Sequence, residues 1–156
     1  MLRKIINNEL INNNIRVIQW SKSSCGWADA QTREIKIPFP RDYDTLGVCF
    51  HEIGHIVLNH IGEKPRFIEE YEAEQYAIQK LKEYGLYNKQ YEIRAIAYVL
   101  SKIAQAKNRR MDINKVPDEI ISWTGLQKRK WKNANKVWVS REASQKKISD
   151  IKITFK

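Results

Sequence analysis

The sequence predicts an α+β fold: a small antiparallel or mixed sheet with an edge strand beside one histidine-bearing helix. Further helices and a basic C-terminal segment follow. Three observations carry this expectation. Two early runs, residues 15–20 and 33–38, are β-branched and alternate polar with apolar. Residues 46–58 form an apolar run that contains His51-Glu52-Ile53-Gly54-His55. Beyond them lie long stretches with helical periodicity, the last of which are rich in lysine and arginine.

With 156 residues, 42% of them apolar, the chain has enough material for one globular core. There is no run of about eighteen apolar residues to span a membrane. The first residues turn polar too early for a secretory signal. Cys25 and Cys49 make neither a C-x-x-C pair nor a disulfide framework, and both read as reduced thiols. The expectation is an intracellular, cytoplasmic protein. The net charge of +10 is uneven: 13 basic residues face 13 acidic ones through residue 100, and 15 face 5 thereafter. We therefore expect a core over residues 1–107 and a basic extension over 108–156, packed on the same domain. Nucleic acid or an acidic partner is the candidate ligand of that extension.

In chain order, residues 2–11 have a short helical pattern, and Asn12-Asn13-Asn14 end it as a loop. Residues 15–20 read as a strand, 25–28 as a short second strand, and 33–38 as a third. Pro38 and the outward charges of the third predict a sheet edge able to accept an extended peptide. Asp42 or Asp44 can cap the next helix, and Gly62 is placed to end it after His60-Ile61. Pro65 opens a loop into a helix with Tyr71, Ala73, Ala77, Ile78 and Leu81 on its apolar pattern, closed by Gly85. A third long helix runs over residues 89–107. Pro117-Asp118-Glu119 starts another that leads through Ile120, Ile121 and Trp123 towards residue 132. Residues 136–140 and 148–155 read as strands.

The H-E-x-x-H spacing carries the chemistry. Four residues is just over one helical turn, so His51 and His55 leave one face of the helix stacked one above the other. Two imidazoles so placed can share a tetrahedral zinc ion, with Glu52 near enough to serve as base without ligating. All three histidines of the chain, His51, His55 and His60, fall in one ten-residue window. A zinc site of this kind needs a third protein ligand. On a straight helix His60 lies about 140° round from His55 and cannot reach the same ion. The spacing H-E-x-x-H-x-x-G-x-x-H is also absent, because Leu58 and Ile61 stand at its last two fixed positions. The other source is the cluster Glu69-Glu70-Tyr71-Glu72-Ala73-Glu74, of which Glu70 is the candidate ligand. Glu74, one turn on, can orient a ligating histidine, with Glu72 its rival in that role. Tyr71 and Tyr76 are candidates to stabilise an oxyanion, and Arg66 and His60 are also near in sequence.

The pair of motifs, HEIGH followed by Glu70-Tyr71-Glu72-Ala73-Glu74-Gln75-Tyr76-Ala77, resembles the ImmA/IrrE family of zinc metallopeptidases, within the gluzincin group. Glu74 stands where that family usually has Asn, and Tyr76 where it has Phe. The resemblance covers roughly residues 15–85 and implies a zincin-like fold. It implies His51, His55 and Glu70 as zinc ligands, Glu52 as catalytic base, and a repressor-type DNA-binding protein encoded by a mobile element or stress system as substrate. The joining of an H-E-x-x-H core to a basic segment is also similar to SprT-like proteases, which work on DNA-bound proteins. The expected function is zinc-dependent hydrolysis of a peptide bond in a protein, with Glu52 activating water. The alternatives are a non-catalytic module that binds nucleic acid or a protein partner, and a structural protein of a phage or mobile element on the same scaffold. Trp123, Trp131 and Trp138, interleaved with Lys and Arg, are candidate base-stacking residues.

Overall fold

The structure is a computed structural model that describes residues 1–141 and 145–156. It is mixed α and β with small sheets. The chain divides into two compact units, Met1–Tyr91 and Glu92–Lys156. The formal charge divides with them: the first unit has 12 basic and 12 acidic residues, the second 16 and 6. Among the described residues, no helix is long and apolar enough to cross a membrane.

The first unit runs α1 (Leu2–Asn12), β1 (Arg16–Ser21), β2 (Trp27–Asp29), β3 (Glu34–Pro38), α2 (Tyr43–Val57) and α3 (Arg66–Glu83). The helix α4 (Lys89–Asn108) begins in it, and the division falls after Tyr91. The sheet has the order β1-β3-β2, with β1 parallel and β2 antiparallel to β3. Alternation in β3 buries Ile35 and Ile37 completely and leaves Glu34 and Lys36 half-buried on the other face. Glu34 pairs with Arg16 across the sheet.

The expectation that β3 is the edge is overturned: it is the central strand. Outward charges show that one face of a strand is solvated, which says nothing about whether its backbone is paired on both sides. Pro38 is tolerated because it is the last residue of the strand. Among the described residues the edges are β1 and β2, and β2 packs against α2.

A capping box starts α2: Asp42 Oδ1 accepts from the Thr45 backbone N–H at 2.8 Å, while Thr45 Oγ1 accepts from the Asp42 N–H at 3.1 Å. Leu46, Phe50 and Ile53 then fall on the buried face. The helix stops sooner than Gly62 suggested. Asn59 takes a left-handed φ of 55°, and the His60 N–H closes back on the His55 carbonyl at 2.9 Å. Asn tolerates that conformation, so the chain reverses there. Its most extensive packing is with α3, whose Phe67, Ala73, Ala77 and Leu81 are buried. Two glycines permit close approach to α2. A Cβ at Gly47 would lie 2.1 Å from Tyr91 Cε2, and one at Gly54 would lie 3.1 Å from Tyr76 Cδ1.

The second unit takes the rest of α4, with Ile96, Leu100 and Ile103 buried. It continues through a 3₁₀ turn (Ile113–Lys115), α5 (Asp118–Thr124), α6 (Lys128–Asn133), β4 (Val137–Val139) and β5 (Ile153–Phe155). The helix expected from residue 117 towards 132 is broken in two, because Gly125 adopts φ 69° and caps α5. The tail strands pair antiparallel as a ribbon, each shorter than its sequence pattern. Asn108, the last residue of α4, grips β4: its side chain donates to the Val137 carbonyl and accepts from the Val137 N–H, both at 2.9 Å.

Candidate metal centre

His51 and His55 leave α2 one turn apart, and Glu70 comes from the second turn of α3. Their inner atoms converge. His51 Nε2 and His55 Nε2 are 3.1 Å apart, and Glu70 Oε2 lies 3.1 Å from the first and 3.5 Å from the second. Zinc bonds of about 2.0–2.2 Å in a tetrahedron put neighbouring ligand atoms about 3.4 Å apart. The observed triangle therefore has the size of one tetrahedral face. These three residues are the group of side chains that can hold a metal ion among the described residues.

The polar atoms support the same fit. Glu70 is 0% exposed, and neither of its oxygens has a hydrogen-bond partner of good geometry. The close groups are the two imidazoles and Arg66, whose Nε lies 2.5 Å from Glu70 Oε1. An anion so deep is costly unless cations surround it. Burial pushes the Glu70 pKa up, but His51 and His55 outweigh it and hold the carboxyl far below the usual range. Burial disfavours a charged His51, yet the carboxylates of Glu74 and Glu70 overcome it and lift the pKa to about 10. His55, where burial is the largest influence, is pushed down towards the neutral form that ligates metals.

The four carboxylates of the acidic cluster have separate assignments. Glu69 accepts the Gly62 backbone N–H at 2.9 Å and ties down the loop after α2. Glu70 faces the histidines. Glu72 Oε2 lies 2.9 Å from His60 Nε2, and both its oxygens accept from Lys64 Nζ. Glu74 Oε1 lies 3.1 Å from His51 Nδ1. Glu74 therefore touches His51 directly, and Glu72 meets His55 only through His60. Four like charges are tolerated in six residues because each meets a cation or a donor, Glu70 and Glu74 taking opposite nitrogens of His51.

His60 is brought into the centre by the reversal at Asn59. Its Nδ1 lies 2.8 Å from His55 Nδ1, the nitrogen on the far side of the ring from the triad. It is thus a support for His55 and not a member of the triad. Tyr91 is a support that periodicity alone does not reveal. Its buried hydroxyl donates to Glu74 Oε2 at 2.8 Å, behind the Glu74–His51 contact. The one available signal was Gly47, a glycine inside an apolar helix, which marks a close neighbour.

Glu52 is buried one residue on from His51. Burial, together with the Glu70 and Glu74 carboxylates and against the pull of His51, raises its pKa to about 7. The segment entering β2 lies against it: a Cβ at Gly26 would be 2.4 Å from Glu52 Cγ and 2.6 Å from Oε1. The candidate oxyanion residues, Tyr71 and Tyr76, both lie on α3. The groups acting on the Tyr76 hydroxyl are Glu9, Lys80, Glu83 and Tyr84, and burial and Glu9 raise its pKa to about 12. Tyr71 is half-buried on α3, about 100° round the helix from Glu70. Cys25 is exposed, and Cys49 is buried with its Sγ donating to the Pro38 carbonyl at 3.3 Å.

No family model, curated protein or solved structure gives a match to this chain. Any functional reading therefore rests on the residues themselves.

A cleft of about 580 Å³ borders the centre. Trp27 to Gln31, at and after the β2 edge, line one side, and the loop from His60 to Lys64 with Arg66 and Glu69 lines the other. Arg66 and His60 are the two lining residues that also touch the triad.

Proposed function

We propose that this chain is a zinc-dependent endopeptidase of the ImmA/IrrE type, with His51, His55 and Glu70 as ligands and Glu52 as base. The observation that carries the reading is the buried triangle of His51 Nε2, His55 Nε2 and Glu70 Oε2, with a carboxylate raised to about pH 7 beside it. A divalent cation held there supplies Lewis-acid polarisation of a carbonyl and makes water more acidic.

The chain's own residues do the remaining work. Arg66 holds Glu70 Oε1, which turns Oε2 to the histidines. Glu52 takes one proton from water as the water oxygen adds to the scissile carbonyl carbon. It then returns that proton to the amine nitrogen as the C–N bond breaks. A base near neutrality suits both transfers. Among the described residues β2 is a sheet edge, and that edge can bind an extended polypeptide by main-chain hydrogen bonds in the cleft that Trp27 to Gln31 line. That geometry favours a protein substrate over a small molecule.

The test is zinc content and cleavage of a labelled unstructured protein. Wild type is expected to hold one zinc per chain, and His55→Ala and Glu70→Ala to lose it. Glu52→Gln is expected to keep zinc and lose cleavage. A Glu52→Gln protein that cuts at the wild-type rate would end the catalytic assignment, and zinc retained by both ligand variants would end the metal assignment.

A further inference from the structure

The three tryptophans of the basic unit meet different fates. Trp131 is 1% exposed and packs edge-on to Phe155, with ring centroids 6.2 Å apart. Trp123 is half-buried, and its Nε1 donates to Glu92 Oε1 at 3.1 Å. Trp138 alone of the three stands out, 56% exposed at the middle of β4.

The β4–β5 ribbon explains what surrounds it. Lys136 and Lys156 are directly opposed, each N–H donating to the other's carbonyl at 2.8 and 2.9 Å. Trp138 opposes Thr154, and the Ser140 N–H donates to the Lys152 carbonyl at 2.9 Å. Opposed residues share a face, and residues two apart on a strand share it too. One face of the ribbon is therefore Val137, Val139, Ile153 and Phe155, of which Phe155 meets Trp131. The other is Lys136, Trp138, Ser140, Lys152, Thr154 and Lys156. Among the described residues, the side chains of that outer face include three lysines round one exposed indole and none of Asp or Glu. Like charges directly opposed, as at Lys136 and Lys156, weaken a ribbon by themselves. A polyanion laid across the face removes that penalty.

We propose that the outer face of β4–β5 binds single-stranded nucleic acid, with a base stacked on Trp138 and phosphates against Lys136, Lys152 and Lys156. The charge calls for a polyanion, and the exposed ring selects among polyanions. A base offers a planar face to an indole only when it is unstacked, which favours a single strand over a duplex. An acidic peptide would satisfy the lysines and leave the indole without a planar partner.

The experiment is fluorescence anisotropy of the full chain with a labelled fifteen-nucleotide oligo-dT, a duplex of equal length and a poly-glutamate peptide. The oligo-dT is expected to bind most tightly. Trp138→Ala should weaken it about tenfold or more, and Trp138→Phe should restore most of the loss. Replacing Lys136, Lys152 and Lys156 by Gln should reduce the slope of log affinity against log salt by about 2, at roughly 0.7 per phosphate contact. Trp138→Ala should leave that slope unchanged. Both variants alter exposed positions, so melting curves like the wild type's will accompany these results. Wild-type affinity in Trp138→Ala, or duplex or poly-glutamate bound as tightly as oligo-dT, would overturn the proposal.

Discussion

His60 Nδ1 lies 2.8 Å from His55 Nδ1, and the other nitrogen of His60 lies 2.9 Å from Glu72 Oε2. With its Nε2 turned to the triad, a neutral His55 carries its hydrogen on Nδ1 and donates it to His60. His60 then holds its own hydrogen on Nε2 and donates to Glu72. The chain of contacts fixes both the tautomer and the ring orientation of His55. His60→Ala is expected to keep all three ligands and weaken zinc binding about 10- to 100-fold. Competition with a chelator of known affinity measures this. An unchanged affinity would show that the contact does not orient His55.

A parallel support acts on His51 through Glu74 and Tyr91. Tyr91→Phe removes the hydroxyl that donates to Glu74 Oε2 and leaves a buried carboxylate oxygen short of a donor. The expected loss is about 1.5–3 kcal/mol of stability, the range for a hydrogen bond to a charged group. Urea unfolding of the two proteins side by side checks it. Loss below about 0.5 kcal/mol would show that Glu74 finds another donor.

Gly26, just before β2, lies against Glu52. In Gly26→Ala the new methyl would stand 2.4 Å from Glu52 Cγ, so the carboxylate has to move. The expected outcome is a protein with wild-type zinc content and cleavage reduced at least tenfold, because a displaced base cannot reach the water proton. Full activity would place the working position of Glu52 elsewhere.

Asp42 starts α2, and the Thr45 N–H and hydroxyl hold its carboxyl below the ordinary value of 3.8. Asp42→Ala should cost about 1 kcal/mol at neutral pH. A lowered pKa means that the folded state favours the carboxylate. The advantage of wild type is therefore complete well above pH 4 and shrinks as acid protonates Asp42 below that. Urea midpoints of both proteins between pH 7 and pH 3 report it, and a gap that widens in acid would refute this account.

Much of the site is legible in the sequence because it is local. The 3.6-residue turn alone puts His51 and His55 on one face and Glu52 beside them. The same rule makes Glu70 and Glu74 neighbours on α3, and the partition of charge can be counted directly. Alternation likewise marks β3 and its buried isoleucines. Other features depend on pairings between segments far apart in the chain. β3 is central although its outward charges suggest an edge, because its partners are chosen by long-range backbone pairing, which outward charges do not report. His60 joins the centre only because Asn59 reverses the chain, a turn that helical periodicity carries straight through.

The sequence by itself determined that two imidazoles and a carboxylate share one turn of an apolar helix, and that positive charge gathers at the C-terminal end. Only the tertiary structure decided which of four clustered glutamates meets which partner, that Tyr91 stands behind Glu74, and that Trp138 and not Trp131 faces solvent. The physical reason is range. Side-chain direction along one helix or strand follows from backbone geometry, whereas a carboxylate's partner and an indole's burial depend on how separate elements pack.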